Sequence, residues 1–142
     1  MVRRYPVEAA DAFMIWSGMR QLAVSIELSG KLDPSLLREA VVRIMEIFPI
    51  LRCRLVEEWQ RAWWEESQAQ TIPETVVVRS WDGREATTCA WAEEPLPTSV
   101  QLLLGQGERD LLIVKLDHGL GDFEALVHLV YQIAETVSQL DQ

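Results

Sequence analysis

The stretch that decides the fold is Leu111-Leu112-Ile113-Val114-Lys115-Leu116-Asp117-His118-Gly119-Leu120-Gly121-Asp122-Phe123. Its first six residues form an apolar run of strand length, interrupted only by Lys115. Two glycines then loosen the chain around His118, and Asp122 stands where a helix N-cap belongs. Loops held between rigid elements are the usual place for chemistry. A neutral imidazole in such a loop suits a general base near neutral pH. The plainer alternative is a loop histidine followed by Asp122 acting only as a cap.

Outward from this loop the elements are read one by one. Phe123, Leu126, Val127, Val130, Ile133, Ala134 and Val137 form the apolar stripe of a final helix. On the other side, Val100–Leu104 and Leu111–Leu116 flank Gly105-Gln106-Gly107-Glu108-Arg109-Asp110, which predicts a hairpin whose turn begins at Gly105. No helix and no Lys-Ser/Thr pair follows those glycines, so they are not a phosphate loop. Asp33-Pro34 opens the clearest helix, with Leu36, Leu37, Ala40, Val41, Ile44 and Phe48 on one face, and Pro49 ends it. Leu51–Val56 alternates as a strand and pairs with Arg61–Glu65. Leu22–Leu28 and Thr75–Arg79 are further strands, Asp82-Gly83 is a turn, and Ala9–Met19 and Arg84–Ala92 are short helices. Glu93-Glu94-Pro95-Leu96-Pro97-Thr98 is a loop inside a single domain spanning 1–142, because apolar runs lie on both sides. The order α-β-α-β-β-β-α-β-β-α predicts an α/β fold, an α+β two-layer sandwich whose mixed or antiparallel sheet is packed with helices.

Composition narrows the function classes. The chain has 142 residues with 13 Lys+Arg against 22 Asp+Glu, a net charge of -9 that disfavours nucleic acid. Hydrophobic residues make up 49%, too many for a disordered chain, and no apolar run reaches the ~18 residues of a membrane span. Met1-Val2-Arg3-Arg4-Tyr5-Pro6 is charged but no apolar segment follows, so no signal peptide is expected. Cys53 and Cys89 show no zinc spacing and are read as reduced thiols of a cytoplasmic protein, a single disulfide being the alternative.

Taken together, these residues resemble the N-terminal half of the acyltransferase superfamily that includes chloramphenicol acetyltransferase, nonribosomal-peptide condensation domains and alcohol acetyltransferases. That superfamily carries HHxxxDG between a strand and a helix, matched here by Asp117-His118-Gly119-Leu120-Gly121-Asp122-Phe123. Its upstream "L-D" helix opening and "LRTRF" strand are matched by Leu32-Asp33-Pro34-Ser35-Leu36-Leu37 and Pro49-Ile50-Leu51-Arg52-Cys53-Arg54-Leu55. Tyr5-Pro6-Val7 resembles the "P-L-S" opening, so the likeness runs through nearly the whole chain in order. The resemblance implies acyl transfer. His118 would take a proton from a hydroxyl or amine acceptor, a small molecule, that attacks a thioester of coenzyme A or of a phosphopantetheine carrier. No permanently bound cofactor is implied. Asp122 would pair with an arginine and hold the loop, with Arg52 and Arg54 as candidates; the alternative is that both are solvated or pair with Glu57 and Glu58.

Departures from the pattern matter as well. Asp117 replaces the first motif histidine, and a carboxylate there would favour imidazolium. If the strand extends, Asp117 shares the face of Leu111 and Ile113. Phe123 replaces the motif glycine; it is expected either in the core or narrowing a substrate tunnel. Superfamily members carry two such halves, so a second half-domain or a second copy in an oligomer is expected to complete the cleft. A lone half would leave His118 open to water without oxyanion-stabilising dipoles. The rival reading is a noncatalytic interaction module that kept the fold; a weaker one is a small-molecule binder using tryptophans. Trp59, Trp63 and Trp64 pack a hairpin or form a binding surface. His128 lies with Glu124, Gln132 and Glu135 on the polar face of the last helix. A metal on Asp117, His118 and Asp122 is disfavoured because no further ligands cluster there.

Overall fold

A computed structural model describes residues 4–6, 21–58, 61–66 and 75–142. The expected helix Ala9–Met19 and the side chain of Trp59 lie outside them. The described elements are β1 (Arg4–Pro6), β2 (Gln21–Glu27), α1 (Pro34–Ile47), a 3-10 turn (Pro49–Arg52), β3 (Cys53–Glu58), β4 (Arg61–Glu66), β5 (Val76–Ser80), α2 (Glu85–Glu93), β6 (Val100–Gln106), β7 (Leu111–Asp117) and α3 (Phe123–Leu140).

They build two sheets. The larger has the order β2-β7-β6-β5, antiparallel except for the parallel pair β5 and β6, which α2 connects. That crossover makes the sheet mixed, settling the choice left open by the sequence. The smaller is an antiparallel sheet of order β1-β4-β3.

Position in the sheet explains each strand's pattern. β7 is central and buried along its whole length, so it reads as a continuous run. Its Leu112, Val114 and Leu116 join Leu102 and Leu104 of β6 against Leu37, Val41 and Ile44 of α1 and Leu126, Leu129 and Ile133 of α3. Its Leu111 and Ile113 join Leu103, Trp81 and Trp91 on the opposite face, where α2 lies. β2 is an edge strand: Leu22 and Val24 pack inward, whereas Ala23, Ser25 and Glu27 are exposed. Each fully buried leucine contributes on the order of 1.5–3 kcal/mol. α1 starts where expected, with Asp33 accepting from the Ser35 N–H at 2.8 Å. Losing such a cap costs about 1 kcal/mol.

Two boundaries differ from the sequence reading, and each has a cause. β3 begins at Cys53 rather than Leu51. Pro49, with its fixed φ and no N–H, opens a 3-10 turn instead, closed by Leu51 N–H donating to the Phe48 carbonyl at 3.0 Å. Gly105 is not a turn residue. It lies inside β6, where a Cβ would sit 2.8 Å from Trp81 and 2.9 Å from Trp91. This glycine serves close packing, and the reversal falls after β6, before Leu111.

The small sheet has its own core, Cys53 and Trp64, with Tyr5, Ile50, Leu55 and Leu120 around them. Trp64 therefore packs the hairpin. Both cysteines are free thiols, Cys53 buried and Cys89 exposed. Burial, with the Glu66 carboxylate adding and Arg52 opposing, pushes the Cys53 thiol up to about 11. Iodoacetamide at pH 8 is expected to label the native chain once, at Cys89, and a second time only in denaturant. Rapid double labelling without denaturant would show that Cys53 is accessible.

Candidate functional site

The loop after β7 is built by backbone hydrogen bonds that its sequence makes available. The Asp117 N–H donates to the Ser99 carbonyl at 2.8 Å, which extends the ladder to the end of the strand. The Asp117 carboxylate, buried, accepts from the Gly119 N–H at 2.9 Å, and its carbonyl accepts from the Leu120 N–H at 2.9 Å. An aspartate that turns the chain in this way has a structural reason to stand at the position of the first motif histidine. Leu120 then packs into both the main core and the core of the small sheet, tying the loop to each.

His118 is half-buried, with Nδ1 3.1 Å from the Gly121 carbonyl. A carbonyl only accepts, so Nδ1 carries the proton and Nε2 is the basic nitrogen of the neutral ring. Gly121 also touches α3: a Cβ there would lie 2.5 Å from the Ala125 Cβ. Only glycine allows this close approach, which brings its carbonyl within reach of His118.

Asp122 caps α3, accepting from the Ala125 N–H at 3.0 Å, and is exposed. The arginine partnership expected of it is not made among the described residues. Arg52 lies 2.7 Å from Glu66, and Arg54 lies 3.3 Å from Glu65, both on β4. The β3–β4 register, which sets Arg54 opposite Glu65 and Cys53 opposite Glu66, brings these pairs together. The Glu58 side chain, one of the other suggested partners, lies outside the described residues. Glu65 has its carboxyl held below the ordinary range, first by the hydrogen bond from Arg4 and less by that from Arg54. Phe123 is 58% exposed, neither in the core nor on the cleft wall. His128 is exposed on α3, 3.9 Å from Glu124. Among the described residues no three His, Cys, Asp or Glu side chains gather as a metal-holding group. No helix among them is long and apolar enough to cross a membrane.

His118 and Asp117 line a cleft of about 980 Å³. Arg54 and Leu55 of β3 line it, as do Gln21 and Leu22 of β2, and the segment from Ala92 to Thr98, read from sequence as a plain loop, contributes Pro95, Leu96 and Pro97. Its size matches sites for small organic ligands, which run to roughly 1,000 Å³.

Residues that the sequence reading passed over hold that proline segment. Lys115, fully buried on β7, donates to the Glu94 carbonyl at 2.7 Å. The Gln21 side-chain amide donates to the same carbonyl at 3.0 Å and to that of Ala92 at 3.1 Å. The Glu94 carboxylate accepts both Arg79 Nη1 contacts, at 2.9 and 2.7 Å, and the guanidinium lies 5.4 Å from the centre of the Trp91 ring. The one visible sign was a lysine inside an otherwise apolar run.

Burial lowers the proton affinity of Lys115, with Glu94 opposing and Arg79 adding to the effect. The sign follows from linkage. Between the lowered value and the ordinary 10.5, the unfolded chain binds more protons, so the cost of the buried ammonium eases as pH rises through that window. Lys115→Met is expected to keep or raise the urea midpoint at pH 7, since Gln21 still serves the Glu94 carbonyl, and to remove this alkaline gain. A lower midpoint with an unchanged alkaline slope would show that the ammonium is a net stabiliser.

No family model matches the sequence, and no curated protein matches it either. Solved structures do match. A variant of the starter condensation domain of the rhizomide synthetase RzmA superposes with a TM-score of 0.75 at 13% identity, over 97% of this chain and 38% of that one. The epimerization domain from the third module of tyrocidine synthetase B gives 0.75 at 15% identity, over 97% and 36%. The SgcC5 protein from Streptomyces globisporus gives 0.73 at 17%, over 96% and 37%. The chain spans just over a third of the length of each, and at these identities the likeness shows the fold. It is a condensation-domain-like half-fold.

Proposed function

We propose that this chain is the histidine-bearing half of a condensation-type acyltransferase. It would move an acyl group from a coenzyme A or carrier-protein thioester to a hydroxyl or amine. The observation that carries this reading is His118, presented to the cleft at the end of β7 with Nδ1 engaged by the Gly121 carbonyl. In the proposed step Nε2 takes the acceptor's proton as its oxygen or nitrogen bonds to the thioester carbonyl carbon. Collapse of the tetrahedral adduct breaks the carbon–sulfur bond, and the imidazolium returns the proton to the leaving thiolate. Positive charge on the ring strengthens the Nδ1–H bond to the Gly121 carbonyl at the moment it is needed. Asp122 and Gly121 act as positioning residues.

The rest of the cleft belongs to a complementary half or to a second copy of the chain. Light scattering on a sizing column separates these. A dimer or trimer supports closure by another copy, and a monomer supports a separate half. Thiol release from an acyl thioester, with and without His118→Ala, tests the chemistry.

A second reading, a noncatalytic interaction module, is favoured by Phe123, which exposes 58% of its surface at the start of α3 beside the site loop. It expects no thioester turnover in any assembly state, and acyl transfer lost with His118 would end it.

A further inference from the structure

Three walls bound the cleft among the described residues: β3 with Leu55, β2 and the loop after β7 with Leu22 and His118, and the segment that carries Leu96 and Thr98. One buried side chain joins them, and we infer that Ser99 is a positioning residue that sets the small-sheet wall against His118. The inference deepens the proposed acyl transfer, by naming what holds the cleft in shape for its substrate, and it rests on that reading of the cleft. Ser99 is 1% exposed. It follows Thr98 of the third wall directly and leads into β6. Its carbonyl accepts from the Asp117 N–H at 2.8 Å, one residue before His118. Its hydroxyl lies 2.8 Å from the Leu51 carbonyl and 3.4 Å from that of Ile50. A hydroxyl has one proton to donate, and the shorter contact takes it.

The acceptor of that proton sits at the junction of the two sheets. Leu51 belongs to the 3-10 turn Pro49–Arg52, which leads into β3. Its side chain packs on the main core, whereas that of Ile50 packs on the core of the small sheet. Leu55, four residues further on, lines the cleft. Leu120 also touches both cores, but apolar contact is non-directional and lets surfaces slide. A hydrogen bond of 2.8 Å fixes both distance and angle. The other end of the third wall is held separately, by Lys115 and Gln21 at the Glu94 carbonyl. Between the two fixings lie Pro95, Leu96, Pro97 and Thr98, and proline restricts φ at two of these positions. With that segment held at both ends, Ser99 carries the position of the end of β7 across to the start of β3.

Ser99→Ala removes the hydroxyl and keeps the carbonyl that Asp117 uses, so the end of β7 stays in place. The first reading needs no turnover: residual dipolar couplings of backbone N–H groups, measured by nuclear magnetic resonance on the full chain. In the unaltered chain one alignment frame is expected to fit β3 and β4 together with β6 and β7. In Ser99→Ala the two sheets are expected to lose that common frame, a change that a mere loss of stability would not produce. The neighbouring hydroxyl is the control. Thr98 Oγ1 donates to the Val100 carbonyl at 2.8 Å, within its own segment, so Thr98→Val should keep the frame. Two frames already present in the unaltered chain, one frame kept in Ser99→Ala, or the same loss in Thr98→Val overturns the inference. Thiol release by the assembled site gives the second reading. A slack wall weakens the hold on substrate equally in the ground and transition states, so KM should rise about tenfold while kcat stays within about threefold. A fall in kcat at unchanged KM would also overturn the inference. Loss of the frame in Ser99→Ala, with no thiol release by the unaltered chain in any assembly, would sink acyl transfer and leave the joint standing.

Discussion

Thiol release by the assembled site is expected to fall about 10²–10⁴-fold when His118 is replaced by alanine, the usual loss when a general base is removed. The fold is expected to stay. His118 is half-buried, belongs to none of the three apolar clusters, and among the described residues its side chain bonds only the Gly121 carbonyl, three residues along its own loop. Asp117 still turns the chain through Gly119, Leu120 still packs into both cores, and Asp122 still caps α3. The thermal midpoint should therefore shift little while turnover collapses. Turnover that survives with an unchanged rate would remove His118 from the chemistry and leave the cleft as a binding site.

Gly121→Ala is expected to approach the same loss by another route. The added Cβ would lie 2.5 Å from that of Ala125, below any normal contact, so the loop must move off the start of α3. Moving it shifts the carbonyl that holds His118 Nδ1, and ring orientation and tautomer lose their support. Overpacking of this kind costs about 1–3 kcal/mol. A second substitution separates placement from general damage. Adding Ala125→Gly removes the clashing methyl, so turnover should recover. Stability should recover only in part, because glycine in a helix costs about 0.5–1 kcal/mol relative to alanine. Turnover that stays low in the double variant would mean that Gly121 matters for something other than space.

Strand and helix identities were legible wherever one local rule dominated. Asp33-Pro34 opened α1, the apolar stripe from Phe123 to Val137 marked α3, and the runs around Gly105–Asp110 marked the β6–β7 hairpin. Each follows from capping, periodicity or turn chemistry within a few residues. His118, Gly121 and Asp122 were legible as a strand–loop–helix unit for the same reason. What Asp122 does was not. An arginine partner is a matter of register between distant segments, and the β3–β4 pairing gave both candidates to Glu65 and Glu66. Phe123 shows the same limit: it falls on the apolar periodicity of the helix, yet no other element among the described residues buries it.

The sequence by itself determined where α1 and α3 start, which apolar runs are strands, and the glycine-flanked histidine between β7 and α3. These are short-range consequences of φ/ψ preference, side-chain period and capping. Only the tertiary structure decided that Gly105 serves tryptophan packing instead of a turn, that Lys115 and Gln21 fasten the Glu94 carbonyl behind the proline wall, and that Arg54 lines the same cleft as His118. Those outcomes depend on which side chains meet between residues 14 to 73 positions apart, and burial and charge there are set by the partner rather than by the neighbours in the chain.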